Sequence, residues 1–334
     1  MMAEADFREG LGKLLGRGHV FDALVYHPQL SELMKLVDAF PNGLFVLNHI
    51  GRPLGVGPYE GHRDEVFEVW EKDMAALAER SNVLVKVGGN VAGGINAPPS
   101  VTSKDCVIIQ PPSGDSGDIT LHNVTAASLV VTNNGTTADS DVTLGASTVD
   151  GNLSVTATTG TITDSGVLTV TGTSSFTTST DNELITLDSA NLFTGAVSFT
   201  TAGTTGDAAL TTGTTPLKLG TSTVNGDLSV TSAAAITQSG VLTVTGTTTI
   251  TADNSGTKQD VSLEDLTTGA DAQNQFSGAV SVTGNWVKLG TANGIILGDI
   301  TTVDTNGHFT LDPNQSGANT GSVTQAAGTK LDIY

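Results

Sequence analysis

The sequence predicts a mainly β chain: a right-handed parallel β-solenoid (β-helix) preceded by a small α/β segment. Three observations carry this expectation. Composition breaks near residue 93, since residues 1–93 hold no threonine, all four methionines and nine of the 14 Lys+Arg, whereas residues 94–334 hold about 51 threonines and neither arginine nor methionine. Long phrases recur in the second part, and its apolar residues fall into short alternating runs bounded by Gly, Asn or Asp.

In the first part helix and strand patterns alternate. Phe7, Leu11, Leu14 and Leu15 recur at helical spacing, and Val20 to Tyr26 is a short apolar run that fits a buried strand. Leu30, Leu33, Met34, Val37 and Phe40 form a second helical stripe, closed by Pro41-Asn42-Gly43. Leu44 to Leu47 reads as the next strand, Asp64 to Glu79 as a third helix and Val83 to Val87 as a third strand. Strands separated by helices imply parallel pairing. Residues 94–114, with Gly93-Gly94, Pro98-Pro99 and Pro111-Pro112 in or beside them, read as a linker or the lead-in to the solenoid, because paired prolines donate no ladder hydrogen bonds. The expected units are therefore 1–93, 94–114 and 115–334.

In the third unit, Ser147-Thr148-Val149-Asp150-Gly151-Asn152-Leu153-Ser154-Val155-Thr156 returns as Ser222-Thr223-Val224-Asn225-Gly226-Asp227-Leu228-Ser229-Val230-Thr231, an offset of 75. Ser165 to Thr173 returns from Ser239 at 74, and Gly195-Ala196-Val197-Ser198 from Gly278 at 83. Two all-β architectures use such strands. In a solenoid, stacked coils ladder small and β-branched side chains inward and threonines outward. Tandem Ig-like sandwiches repeat at a similar length but carry large core aromatics, and residues 94–334 have only Phe176, Phe193, Phe199, Phe276, Phe309, Trp286 and Tyr334. The scarcity of aromatics favours the solenoid.

Charge narrows the function classes. Nine basic against 13 acidic side chains leave −4 on residues 1–93, and five against 21 leave −16 on residues 94–334. Such a surface repels phosphate backbones, so nucleic acid is not an expected partner. Cys106 alone makes neither an internal disulfide nor a cysteine-built zinc site. The start, Met1-Met2-Ala3-Glu4-Ala5-Asp6, lacks a signal-peptide pattern, and no stretch approaches a membrane span. The N-terminal part points to the cytoplasm and the repeats to the cell surface or the extracellular space.

Phe21-Asp22-Ala23-Leu24-Val25-Tyr26-His27-Pro28-Gln29-Leu30, Val46-Leu47-Asn48-His49-Ile50-Gly51-Arg52-Pro53-Leu54-Gly55-Val56-Gly57-Pro58-Tyr59-Glu60-Gly61 and Asn82 to Gly89 together resemble the amidohydrolase family that includes the 2-pyrone-4,6-dicarboxylate lactonase-like hydrolases. The resemblance covers residues 7–89. It implies an α/β fragment of a TIM-barrel type, with His49 at the C-terminal strand ends as a catalytic residue or metal ligand and His27, Arg52 and Tyr59 near the substrate. The implied chemistry is attack of an activated water on a lactone or related carbonyl, with a divalent metal such as zinc as the alternative to no cofactor. A barrel takes eight βα units in roughly 250 residues, and about three are present here. No His-x-His occurs, so one credible ligand stands where a catalytic zinc takes three. The hydrolase alternative therefore needs strands from another chain, and the fragment is expected to be inactive. For His27 a capping or packing role weighs against the functional one; His19 and His62 read as surface residues, and Lys86 as either a buried catalytic lysine or one reaching solvent from an edge.

Gly166-Val167-Leu168-Thr169-Val170-Thr171-Gly172, and Leu187-Asp188-Ser189-Ala190-Asn191 followed by Phe193-Thr194-Gly195-Ala196-Val197, resemble the strand-repeat regions of bacterial adhesin and haemagglutinin-like surface proteins. This implies a structural or adhesive role, an unidentified surface ligand or carbohydrate as partner, and self-association through solenoid ends. Chemistry in the repeats is thinly represented. Asp304-Thr305-Asn306-Gly307-His308 has its glycine at the fourth position of a calcium loop where the sixth is needed. Carboxylate pairs such as Glu183 with Asp188 or Glu264 with Asp265 lack a nearby aromatic sugar platform and read as solvated loop charges. No Gly-x-Ser-x-Gly elbow occurs.

Overall fold

The computed structural model of the chain describes residues 2–54, 57–87, 95–96, 101–102, 106–109, 117–135, 140–264, 274–292, 294–303, 307–312 and 322–333. The proline pairs, residues 304–306 of the calcium-like loop, and Asp265 lie outside the described residues.

The first part is α1 (Ala5–Leu15), β1 (Phe21–Ala23), α2 (Leu30–Ala39), β2 (Phe45–Leu47), α3 (Arg63–Leu77) and β3 (Val83–Val87). The three strands run parallel, with Phe21 opposite Phe45 and Phe45 opposite Val83. The helical stripes bury Leu11, Leu30, Leu33, Leu36, Val37, Trp70 and Leu77 against Phe45 and Leu47. Each such side chain contributes about 1.5–3 kcal/mol on burial. The resemblance to a barrel fragment does not extend to closure. The free side of β3 pairs in parallel with Cys106–Ile109, Val85 meeting Val107 and Val87 meeting Ile109, so the sheet runs on into the repeat region.

That region is two long parallel stacks. Parallel pairing excludes the Ig-like alternative, whose sheets are antiparallel. Ile119 pairs Val142, Val142 pairs Ile162 and Ile162 pairs Ile185, so a circuit takes 23, 20 and 23 residues. Alternation builds each strand: in Leu153–Ala157, Leu153, Val155 and Ala157 are buried while Ser154 and Thr156 are half-exposed. Outward threonines stay in register, Thr132, Thr156, Thr177 and Thr200 lying on successive strands. Corner carboxylates tie one circuit to the next: Asp207 Oδ1 accepts the Asp227 N–H at 2.7 Å, and Asp227 Oδ1 the Thr247 N–H at 2.6 Å. Part of the chain's acidity is thus used to satisfy backbone donors.

In the first circuits one side carries a single strand (Ser128–Asn133, Leu153–Ala157, Ser174–Asp181, Ala196–Ala202) and the other two short ones, such as Ile162–Asp164 and Leu168–Val170. Ile185–Phe193 fuses the short pair: Ile185 meets Ile162 and Leu192 meets Thr169. Beyond it the sides exchange patterns. Ala208–Thr212, Leu228–Ser232 and Thr248–Asn254 continue the stack begun by Ile185–Leu187, while Leu217–Leu219 and Ser222–Val224 stack on opposite ends of Ala196–Ala202. Phe176, Phe193 and Phe199 fill the interior at this exchange, with centroids 6.0–6.2 Å apart. Leu153–Ala157 and its copy Leu228–Ser232 therefore lie in different stacks. The sequence unit of about 75 residues holds three and a half circuits.

Candidate functional site

The residues singled out by sequence lie beyond the C-terminal ends of β1 and β2, where open parallel sheets place ligands. After β1 the chain makes a short 3-10 turn, His27–Gln29, started by Pro28. After β2 the residues His49, Ile50, Gly51 and Arg52 all have positive φ, 54°, 49°, 72° and 39°. Three of them are not glycine, so this turn is strained and must be held by its neighbours. The Trp70 indole N–H donates to the Ile50 carbonyl at 2.6 Å, Leu54 N–H donates to His27 Nδ1 at 3.2 Å, and His27 N–H donates to the Arg52 carbonyl at 3.4 Å. Gly51 suits its place, since at φ 72° a Cβ would be strained and would press on the methyl groups of the buried Leu30.

His27 is buried, and burial holds its imidazole below the ordinary histidine range, a shift that the Asp73 charge partly opposes. With Nδ1 accepting from Leu54, the neutral ring carries its proton on Nε2. Tyr59 packs edge-on to it at 4.9 Å. Together they line an open cleft of about 430 Å³ with Pro28, Pro58, His62 and Val69. His49 and Arg52 do not line it; the Arg52 guanidinium lies 5.9 Å from the centre of the Tyr26 ring. The four residues thus separate into a His27–Tyr59 cleft and a strained turn behind it. Among the described residues no three His, Cys, Asp or Glu side chains come close enough to hold a metal, so the set present does not fit a catalytic zinc. The remaining candidates resolve simply. His19 is exposed, His62 Nδ1 sits 3.0 Å from Glu65 Oε2, and Lys86 reaches solvent and pairs with Asp22 at 3.2 Å.

Sequence reasoning missed the polar sites inside the solenoid. Asp164 is 9% exposed; it accepts the Asp188 N–H at 2.9 Å and the Asn191 side-chain amide at 2.6 Å, and Asn191 Oδ1 accepts the Leu168 N–H at 2.7 Å. Burial pushes the Asp164 carboxyl up, against the hydrogen bonds from Asn191, Ser189 and Asp188 that favour its charged form. One repeat later Gln238 and Asn274 take these places as a reciprocal amide pair at 2.9 and 3.2 Å, Asn274 Oδ1 also accepting the Leu242 N–H at 2.9 Å. The alternation Ile162-Thr163-Asp164, with Ile162 inward, is the signal that places Asp164 inside. These groups bridge the two short strands of a circuit.

Residues 132–200 and 205–283 match the family model described as repeats of unknown function (DUF5649), in two consecutive copies. Over 91 residues the chain is 34% identical to "Uncharacterized protein y4mH" of Sinorhizobium fredii (strain NBRC 101917 / NGR234), covering 27% of this chain and 28% of that protein. The chain spans little more than a quarter of that relative's length. No solved structure matches. Neither match names an amidohydrolase or adhesin family; the family match supports a repeat protein, and the structure shows that its strands stack in parallel.

Proposed function

We propose that this is a structural, adhesive repeat protein of bacterial surface type, in which residues 115–334 form a rigid display body, residues 94–114 lead into it and residues 1–93 are an inactive remnant of an amidohydrolase. The observation that carries the reading is the unbroken parallel ladder from β1 through Cys106–Ile109 to the strand His308–Asp312. Thirteen strands on that path, about 4.8 Å apart, make a stack of about 60 Å. Winding is right-handed by the strong chirality of parallel crossovers. In this reading the α/β unit covers one end of the stack and shields a sheet edge that would otherwise invite aggregation. His27, Arg52, Tyr59 and His49 keep the places of an ancestral site without its metal set. The far edge, with exposed Val323, Leu331 and Ile333, is where a second copy would join. Among the described residues no helix is long and apolar enough to cross a membrane.

Small-angle scattering with limited proteolysis tests the proposal. It expects an elongated particle, a protease-resistant core beginning near residue 115, and no lactonase or esterase activity sensitive to His49→Ala. A compact particle, or zinc-dependent turnover abolished by His49→Ala, overturns it.

A further inference from the structure

The strand Trp286–Gly290 carries an aromatic residue where the rest of the solenoid surface carries mainly Ser and Thr. Trp286 is 47% exposed, whereas Phe176, Phe193, Phe199 and Phe276 are buried. Its placement is fixed by neighbouring strands. Asp260 Oδ1 accepts the Trp286 N–H at 3.2 Å and the Asn285 amide at 2.8 Å, and the exposed His308, opposite Trp286 in the ladder, meets the indole edge-on at 4.8 Å. The next outward column is Ser262, Lys288 and Thr310 in register, with Lys288 Nζ 3.2 Å from Glu264 Oε1. Successive outward residues stand about 7 Å apart along a strand and about 5 Å apart across strands. Hydroxyl and ammonium groups therefore stand in the column beside the indole, about 7 Å along the strand, with the Glu264 carboxylate reaching back to Lys288, so the indole and these groups would meet neighbouring units of a sugar chain.

We infer that Trp286, with Lys288, Glu264, Ser262 and Thr310, forms a binding site for an uncharged polysaccharide, the indole stacking on the C–H face of a pyranose. An aromatic with an apolar body suits that face, and paired donors and acceptors suit ring hydroxyls. The surface is a flat sheet face rather than a deep pocket, which suits a polymer over a free small molecule. It is not a contiguous apolar patch of the kind that marks protein interfaces. Five basic against 21 acidic side chains in residues 94–334 oppose anionic glycans. The inference rests on the display-body reading and names what the body displays.

The test is native affinity electrophoresis of the full chain in gels containing hydroxyethylcellulose, laminarin or, as an anionic comparator, polygalacturonate. Tryptophan fluorescence is read in parallel. The chain has two tryptophans, and Trp70 is 5% exposed, so a ligand-dependent blue shift and protection from iodide quenching report on Trp286. Retardation by at least one neutral glycan is expected, weakened at least about tenfold in Trp286→Ala, weakened about threefold in Lys288→Ala and largely kept in Trp286→Tyr. Should Trp286→Ala misfold, the Lys288→Ala and Trp286→Tyr pair decides by the same criteria. No retardation by either neutral glycan, retardation by polygalacturonate alone, or unchanged binding in folded Trp286→Ala overturns the inference. A compact particle in scattering sinks the display reading and leaves glycan binding standing or falling on its own result.

Discussion

Replacing Asn191 by alanine removes a side chain that is fully buried and joins the two short strands of one circuit. Three groups lose a hydrogen bond: the Leu168 N–H, now 2.7 Å from Asn191 Oδ1, the Thr211 carbonyl, 3.4 Å from Asn191 Nδ2, and the Asp164 carboxylate, 2.6 Å from the same amide and left with the Asp188 and Ser189 N–H groups. A buried group left unsatisfied costs about 1–3 kcal/mol, more when charged, so the expected loss is about 2–5 kcal/mol. Long repeat arrays do not unfold in one step, and the loss is best read locally. Native-state hydrogen exchange of the Leu168 amide should speed up by a factor of about 30 to several thousand, while amides near Leu242, served by Asn274, stay protected. Asn191→Asp supplies an acceptor for Leu168 but sets a second carboxylate against Asp164. It should be worse than alanine at neutral pH and recover in acid, where the pair shares a proton. An exchange rate at Leu168 within twofold of the parent, or identical behaviour of the two variants at both pH values, would refute the reasoning.

The Asp164 carboxyl is raised in the folded chain, so its contribution is fully present below the ordinary carboxylate range and is lost as pH rises through the raised value. Asp164→Gln, which copies Gln238, should therefore melt higher than the parent at pH 7 and lose that advantage in acid; a constant difference across pH would contradict it. Thr248 Oγ1 is buried without a hydrogen-bond partner, and Thr248→Val should stabilise by about 1 kcal/mol in urea unfolding, whereas destabilisation would show that the hydroxyl is satisfied. A Cβ on Gly195 would overlap the Gly172 carbonyl one circuit below, so Gly195→Ala should cost about 2 kcal/mol or more, read by proteolysis of that segment. Deleting residues 1–87 bares the edge of Cys106–Ile109 and should turn a monodisperse sample into aggregates in sedimentation; an unchanged profile would remove the capping role.

Local patterns in the sequence translated well wherever burial was one-sided. Val83–Val87 is the strand that its apolar run announces, and the stripe through Leu30, Leu33 and Val37 is the buried face of α2. The run from Val20 to Tyr26 shortens to Phe21–Ala23, because an edge strand has one partner and Pro28 starts a turn just after it. Circuit length was hidden, since one circuit of a single strand and two short ones has no internal likeness and only the whole unit of about 75 residues repeats. His27 and Tyr59 do meet, but His49 is turned aside by backbone torsions that no periodicity encodes. Residue type does not single out Asp164 at all, and Glu264 reads as a solvated loop charge with no aromatic nearby, whereas strand alternation puts Asp164 inside and pairing sets the outward Trp286 on the strand beside Val261–Leu263.

The half circuit left over in each repeat has a consequence for how such a chain grows. Duplicating one copy in frame preserves every strand and every inward ladder, yet turns all that follows onto the opposite side of the rod. A feature present in each copy is then shown alternately on two sides, and only an even number of added copies returns it to the same one. A surface that must face one way, such as the strand of Trp286, therefore tolerates expansion in pairs, while single additions invert it without unfolding anything.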